Sequence, residues 1–123
     1  MTHLPLIILV CGFVILSVSL PLIFRKVPMN PYYGFRVAAS YASPERWYSI
    51  NEYSGRLLAK WSTLPILTGL LGFFLSEEWF VAYSSVAVLA LLCTAAVPSV
   101  FTLRWIRKTS APNDTSTSER NTK

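Results

Sequence analysis

The chain has 123 residues, 53% of them hydrophobic and 14% charged, with a net charge of +5. A soluble domain of this size carries roughly 25% charged side chains, and here the charges gather at Arg25 to Lys60, at Glu77 and Glu78, and from Arg104 onward. The uncharged runs between them exclude a soluble enzyme with a large aqueous core, a disulfide-stapled secreted domain and a disordered chain.

Residues 1–24 hold no charged side chain, which exceeds the roughly 18 apolar residues that mark a transmembrane helix, so a first span is expected at about 4–24. Ser17-Val18-Ser19 loosely imitates a cleavage site. No Lys or Arg precedes the run, however, and about twenty residues is longer than a signal core of roughly 7 to 15, so the segment is read as a retained helix. Cys11 follows Val10 without a basic leader, which argues against a lipoprotein site. Cys11 and Cys93 fall at different depths of their spans and are expected to stay reduced, as small packing residues.

The next segment, Val27 to Arg36, is shaped by Pro28 and Pro31, which hold Met29 and Asn30 out of the helical region. Gly34 permits close backbone approach or a positive φ. Tyr32, Tyr33 and Phe35 suit the lipid headgroup level. Ser43 is a good N-cap, with Pro44 at the first helical position and Glu45 near the positive end of the dipole. A helix should start there, with an apolar stripe of Trp47, Ile50, Ser54, Leu57, Trp61 and Leu64 running into the second span. Glu52 and Arg56 stand four apart with the acid first, as an ion pair requires. Trp47, Asn51 and Gly55 form a second line. An amide and an arginine at the membrane boundary need partners, and Asn30 and Arg36 are the expected ones.

The second span, 53–76, starts in this helix, and its basic end can snorkel; the third is expected at 79–103, with Glu77 and Glu78 in a solvated turn between them. Pro65 and Pro98 are candidate kinks, and Gly69 and Gly72 allow close helix approach, though not at the usual dimer spacing. Six basic residues between Arg25 and Lys60, against two acidic ones, together with Arg104, Arg107 and Lys108, put that loop and the C-terminus in the cytoplasm and the N-terminus outside. Residues 109–123 lack large apolar side chains and are expected to form a disordered cytoplasmic tail, where the sequon at Asn113 would be inert. The expected fold is all-α: a membrane domain, 1–108, built as a bundle of three transmembrane helices, with a cytoplasmic juxtamembrane loop and amphipathic helix between the first two. No internal repeat supports a transporter plan within one chain, which leaves a homo-oligomer open.

Two readings of the loop stand side by side. In one, Asn30 and Asn51 cross-link it while Arg36 and Arg56 anchor it to lipid phosphate. In the other, the same groups line a cytoplasm-facing pocket for an anionic or peptide ligand. Catalysis is not expected, since His3 is the only histidine and lies at the opposite end, and no metal set, phosphate loop or serine elbow is present; no metal or cofactor is implied. The positive charge flanks spans and does not suggest nucleic acid.

Pro28-Met29-Asn30, Tyr33-Gly34-Phe35-Arg36, and Trp47 with Asn51, Gly55 and Arg56 form an ordered set that resembles the signature of the SdpI-like family, small bacterial membrane proteins of the peptide-toxin immunity type. The likeness covers residues 28–60. Val37 and Ser40 stand in the region where the family usually carries threonines. The resemblance implies a plasma-membrane protein that protects against a membrane-active peptide, with Asn30, Gly34, Arg36, Trp47, Asn51, Gly55 and Arg56 as binding residues and no catalytic chemistry. Membrane lipids, a peptide toxin or another membrane protein are the implied partners. The alternative is a small oligomeric transporter or a lipid- or anion-binding protein using Arg36, Arg56 and the two asparagines.

Overall fold

A computed structural model describes residues 3–110, and all the regular structure among them is helical. Helix α1 runs His3–Ile23, close to the expected first span. After the loop, a single 3₁₀ turn at Ala38–Tyr41 leads to α2, Pro44–Trp61. Its start is where cap chemistry puts it: Ser43 Oγ accepts from the Arg46 N–H at 3.1 Å, with Pro44 in the first turn.

The stretch 53–76, expected to hold the second span, is not one continuous helix, in keeping with Pro65 as a candidate kink. The helix is interrupted at Ser62, resumes as α3, Thr63–Gly72, and ends there. Pro65 causes the defect, because it offers no N–H to the carbonyl of Trp61 four residues back. The Thr94 hydroxyl faces that carbonyl at 3.2 Å while lying 2.7 Å from its own helix's Ala90 carbonyl. A neighbouring helix thus offers the freed carbonyl a donor, a single hydroxyl proton shared with the Ala90 carbonyl. Beyond Gly72 the chain tightens, with the Phe73 and Phe74 amides bonding the Leu70 and Leu71 carbonyls. A 3₁₀ turn at Glu77–Trp79, with both acids exposed as expected, opens α4, Phe80–Ser110.

Helix α4 also outruns its expected end at Leu103. Thr109 and Ser110, assigned to the tail from composition, are helical, and Thr109 Oγ1 donates to the Trp105 carbonyl at 3.0 Å. Arg107 and Lys108 in the last turn favour the negative end of the dipole, and Trp105 stacks on Tyr53 of α2 at 4.7 Å. The rest of the expected tail, and its sequon, lie outside the described residues.

Helices α2 and α3 form the central column, with α1 against both, α4 against both, and only slight contact between α1 and α4. A Cβ on Gly69 would come within 2.7 Å of the Leu9 backbone nitrogen, and one on Gly12 within 2.9 Å of the Ile66 nitrogen. Helices α1 and α3 therefore meet backbone to backbone, and the close approach allowed by Gly69 is used inside the chain. Gly72 faces the Tyr83 ring. Cys11 and Cys93 are free thiols, both half-buried.

Small residues line much of the interior beside a few large ones such as Trp47, Ile50 and Tyr83, while large apolar side chains cover the exterior. Ser19, Ser54, Gly55, Ser62, Gly69, Ala87, Ala90, Thr94 and Thr102 are buried, whereas Leu6, Ile7, Phe13, Leu71, Phe74, Val81, Leu89 and Leu92 are exposed. Water would not tolerate that apolar surface, and lipid has no need to bury it. Two helices, α1 and the one ending at Ser110, are long and apolar enough to cross a membrane, with only 22% and 28% of their apolar windows buried. Helices of this length, composition and exposure suit a bilayer.

Candidate functional site

Helix α1 closes in a Schellman turn, with Arg25 N–H on the Leu22 carbonyl at 3.2 Å and Lys26 N–H on Pro21 at 2.9 Å. The residue in the left-handed position is Arg25, at φ 54°, and not the usual glycine.

The loop that follows is organised around Asn30. Its amide nitrogen donates to the carbonyls of Pro28, at 2.8 Å, and Tyr33, at 3.1 Å; its oxygen accepts from the Tyr32 and Tyr33 N–H groups at 2.9 and 2.7 Å. Two donors and two lone pairs are all that an asparagine amide has. Tyr41 OH donates to the Asn30 carbonyl at 2.9 Å, and the Arg36 guanidinium donates to the Pro31 carbonyl. The Tyr33 hydroxyl reaches the Val18 carbonyl on α1, and burial raises its phenol above the ordinary value. Ser40 is fully buried and its hydroxyl bridges the Val37 N–H and carbonyl, closing the 3₁₀ turn.

Helix α2 holds this loop from below. Asn51, 2% exposed, accepts from the Phe35 N–H at 2.6 Å and donates to the Trp47 carbonyl at 2.9 Å. Trp47 is fully buried, donates from its indole to the Val27 carbonyl at 2.9 Å, and meets the Tyr41 ring at 5.3 Å. Gly34 takes φ 114°, and a Cβ there would lie 2.5 Å from Asn51 Oδ1. Gly55 lets α1 approach, since its Cβ would meet Leu22 at 3.0 Å and the Ser19 carbonyl at 3.2 Å.

The expected partners are different ones. Asn30 and Arg36 do not meet Asn51 and Arg56: the Asn30 amide is spent within its own turn, and Arg36 folds back on Pro31. Asn51 instead satisfies the loop backbone at Phe35. Arg56 pairs with Glu52 at 2.8 Å, as the spacing predicts, but Glu52 also takes Arg25 at 2.6 Å. That second pair joins residues 27 apart, so no local pattern could reveal it. Tyr41, Tyr53 and Trp105 were missed for the same reason. Among the described residues no buried side-chain polar atom lacks a partner.

Two cavities flank the motif. One, of about 290 Å³, lies under the loop between α1, α2 and α4, walled by Val18, Leu22, Tyr33, Gly34, Phe35, Leu58 and Pro98 with the hydroxyls of Ser54 and Ser99. The other, of about 280 Å³, is lined by Arg25, Ser49, Glu52, Tyr53, Arg56 and Trp105.

Hydrogen bonds from Arg25 and then Arg56 hold the Glu52 carboxyl below the usual carboxylate range. A group whose folded value is depressed stabilises the fold above its unfolded value, about 4.3, and loses that contribution as the pH falls through the folded value. Melting of the detergent-solubilised protein is therefore expected to drop in that acid window less for Glu52→Gln than for the wild type. Identical pH profiles would show the pairs to be energetically idle.

A family model described as the SdpI/YfhL protein family matches residues 26–102, a stretch that takes in the whole loop, α2, α3 and most of α4. No curated protein and no solved structure matches the chain.

Proposed function

The chain belongs to the SdpI/YfhL protein family, and from that premise we propose that it is an integral membrane protein conferring immunity or resistance to a membrane-active peptide toxin. It acts as a binding protein and not as an enzyme, taking the peptide at the motif loop and the bundle beneath it. Family membership carries this reading. The geometry supports it with the 290 Å³ cavity, whose roof is the motif loop itself at Tyr33, Gly34 and Phe35 and whose walls are largely apolar. Such a cavity, lined by both α1 and α4, suits an apolar side chain of a peptide.

Three spans are proposed: α1, the run Tyr53–Gly72 through the end of α2 and α3, and α4. The middle run rises about 30 Å at 1.5 Å per residue, the thickness of the hydrocarbon core, and its Arg56 and Lys60 are exposed near one end, free to snorkel. The excess of basic residues at that end supports a cytoplasmic position for it, with the N-terminus outside. Ser43→Cys is then expected to resist an impermeant thiol reagent in intact cells and to react once the membrane is permeabilised. Labelling from outside would reverse the orientation.

The test of function is survival and membrane potential of sensitive bacteria challenged with a membrane-active peptide, with and without the protein. Protection is expected, and expected to be lost in Arg36→Ala and Asn51→Ala at equal expression. An absence of protection at normal expression would favour transport or anion binding through Arg36, Arg56 and the two asparagines, as a monomer or homo-oligomer. That alternative has less support, because both asparagine amides are engaged within the chain.

A further inference from the structure

We propose that the cleft between the end of α1, the middle of α2 and the last turns of α4 binds a phosphate or phosphodiester group, with Arg25 and Arg56 as its arms and Trp105 as its wall. Arg25 occupies a left-handed position, φ 54°, that glycine fills without strain. The turn itself makes no use of a side chain there, and the position directs the Arg25 side chain away from the helix axis and toward α2. That side chain turns into the cleft and reaches Glu52.

One carboxylate serves two guanidiniums, Arg25 through Nε on one oxygen and Arg56 through Nη2 on the other. The triad keeps a net charge of +1. Each guanidinium has five N–H donors, and each spends only part of its fork on Glu52. Their side chains are 53% and 66% exposed against 22% for Glu52, so the acid forms the floor and the arginines the rim. A planar fork offered at a rim is the donor geometry that phosphate oxygens accept.

The remaining walls suit the same ligand. Ser49 contributes a hydroxyl, and Trp105 is fixed by its stack on Tyr53, with interplanar angle 12°. The Arg46 guanidinium stands 5.8 Å from the Trp105 ring and adds a further positive charge at this end. The volume of about 280 Å³ admits a phosphate with part of a glycerol backbone. If the spans run as proposed above, the cleft lies at the cytoplasmic headgroup layer, where anionic lipid is drawn to basic clusters. The site does not depend on the immunity reading.

The test uses the full chain in detergent, with phosphatidylglycerol and phosphatidylcholine retention read by native mass spectrometry and inorganic phosphate binding by calorimetry. Arg25→Gly and Arg56→Gln are the variants, and Arg25→Gly relieves the left-handed strain, so its fold, checked by circular dichroism and melting, should persist. Phosphatidylglycerol is expected to outbind phosphatidylcholine and to weaken at least tenfold in both variants. Inorganic phosphate binding that is lost in the same variants, without lipid retention, would keep the cleft and make free phosphate its source. Wild-type binding of both probes in folded variants would overturn the site, whereas loss of toxin protection with lipid binding intact would bear only on the immunity reading.

Discussion

Gly34→Ala is expected to destabilise the protein by roughly 2–4 kcal/mol, from two causes that act at one atom. The backbone there sits at φ 114°, outside even the left-handed region that L-residues visit. The new Cβ would also stand 2.5 Å from Asn51 Oδ1 and 3.3 Å from the Trp47 ring. Asn51 cannot swing aside cheaply, because that oxygen holds the Phe35 N–H. The effect should appear as a lowered melting temperature in detergent and as increased proteolysis within the loop. A cycle with Asn51→Ala separates the causes: removing the oxygen relieves the clash but leaves φ, so the double variant should be more stable than the sum of the singles predicts. Strict additivity would mean that the clash is absorbed elsewhere, and wild-type stability of Gly34→Ala would mean that the loop is not held in this conformation.

What the sequence made legible follows the range of each interaction. The N-cap at Ser43 and the Glu52–Arg56 pair are encoded within four residues and are readable from spacing; the prolines show that Asn30 leaves the helical region, but not that its amide closes its own turn. The first helix, His3–Ile23, was readable from hydropathy alone. Gly34 was readable as a position of close approach or positive φ, and the structure shows both. The ends of the helices were less legible: Trp105 carries α4 past Leu103 by stacking on a tyrosine more than fifty residues earlier, a contact that no local composition shows. The interruption at Ser62 lies three residues before Pro65, because a proline disturbs the carbonyl of the preceding turn and not its own.

The site divides in the same way. Trp47, Asn51 and Gly55 on one line of α2 were visible as a pattern, and all three are buried against the loop or α1. Their partners were not visible, because they are backbone groups: the carbonyls of Val27 and Ser19, and the Phe35 N–H. A motif of side chains recognising main chain leaves no complementary residue types to find. Arg25 carries no distinctive sequence signal of its pairing with Glu52 for another reason. It falls at the edge of a span, where an arginine is already explained by topology.

Asn51→Ala should cost the fold about 1–3 kcal/mol and abolish any activity centred on the loop, while Lys60→Ala should leave both within experimental error. Asn51 is almost fully buried, and its loss leaves the part-buried Phe35 N–H without its acceptor in the chain. An unpaired amide costs its full desolvation, which is more than the bond itself was worth. The Trp47 carbonyl loses a donor as well, but as a helical carbonyl it retains its place in the helix ladder, so the larger penalty belongs to Phe35. With that bond gone, Gly34 and Phe35 are no longer fixed over the 290 Å³ cavity, whose roof they form. Lys60 is exposed and makes no side-chain hydrogen bond among the described residues, and basic neighbours can replace its anchoring charge. Asn51→Asp sharpens the comparison, since it keeps an acceptor for Phe35 but sets a buried carboxylate against the Trp47 carbonyl; it should be worse than Asn51→Ala at neutral pH and recover as the carboxyl is protonated. Equal melting and equal activity of Asn51→Ala and Lys60→Ala would remove the loop from the centre of the protein's function.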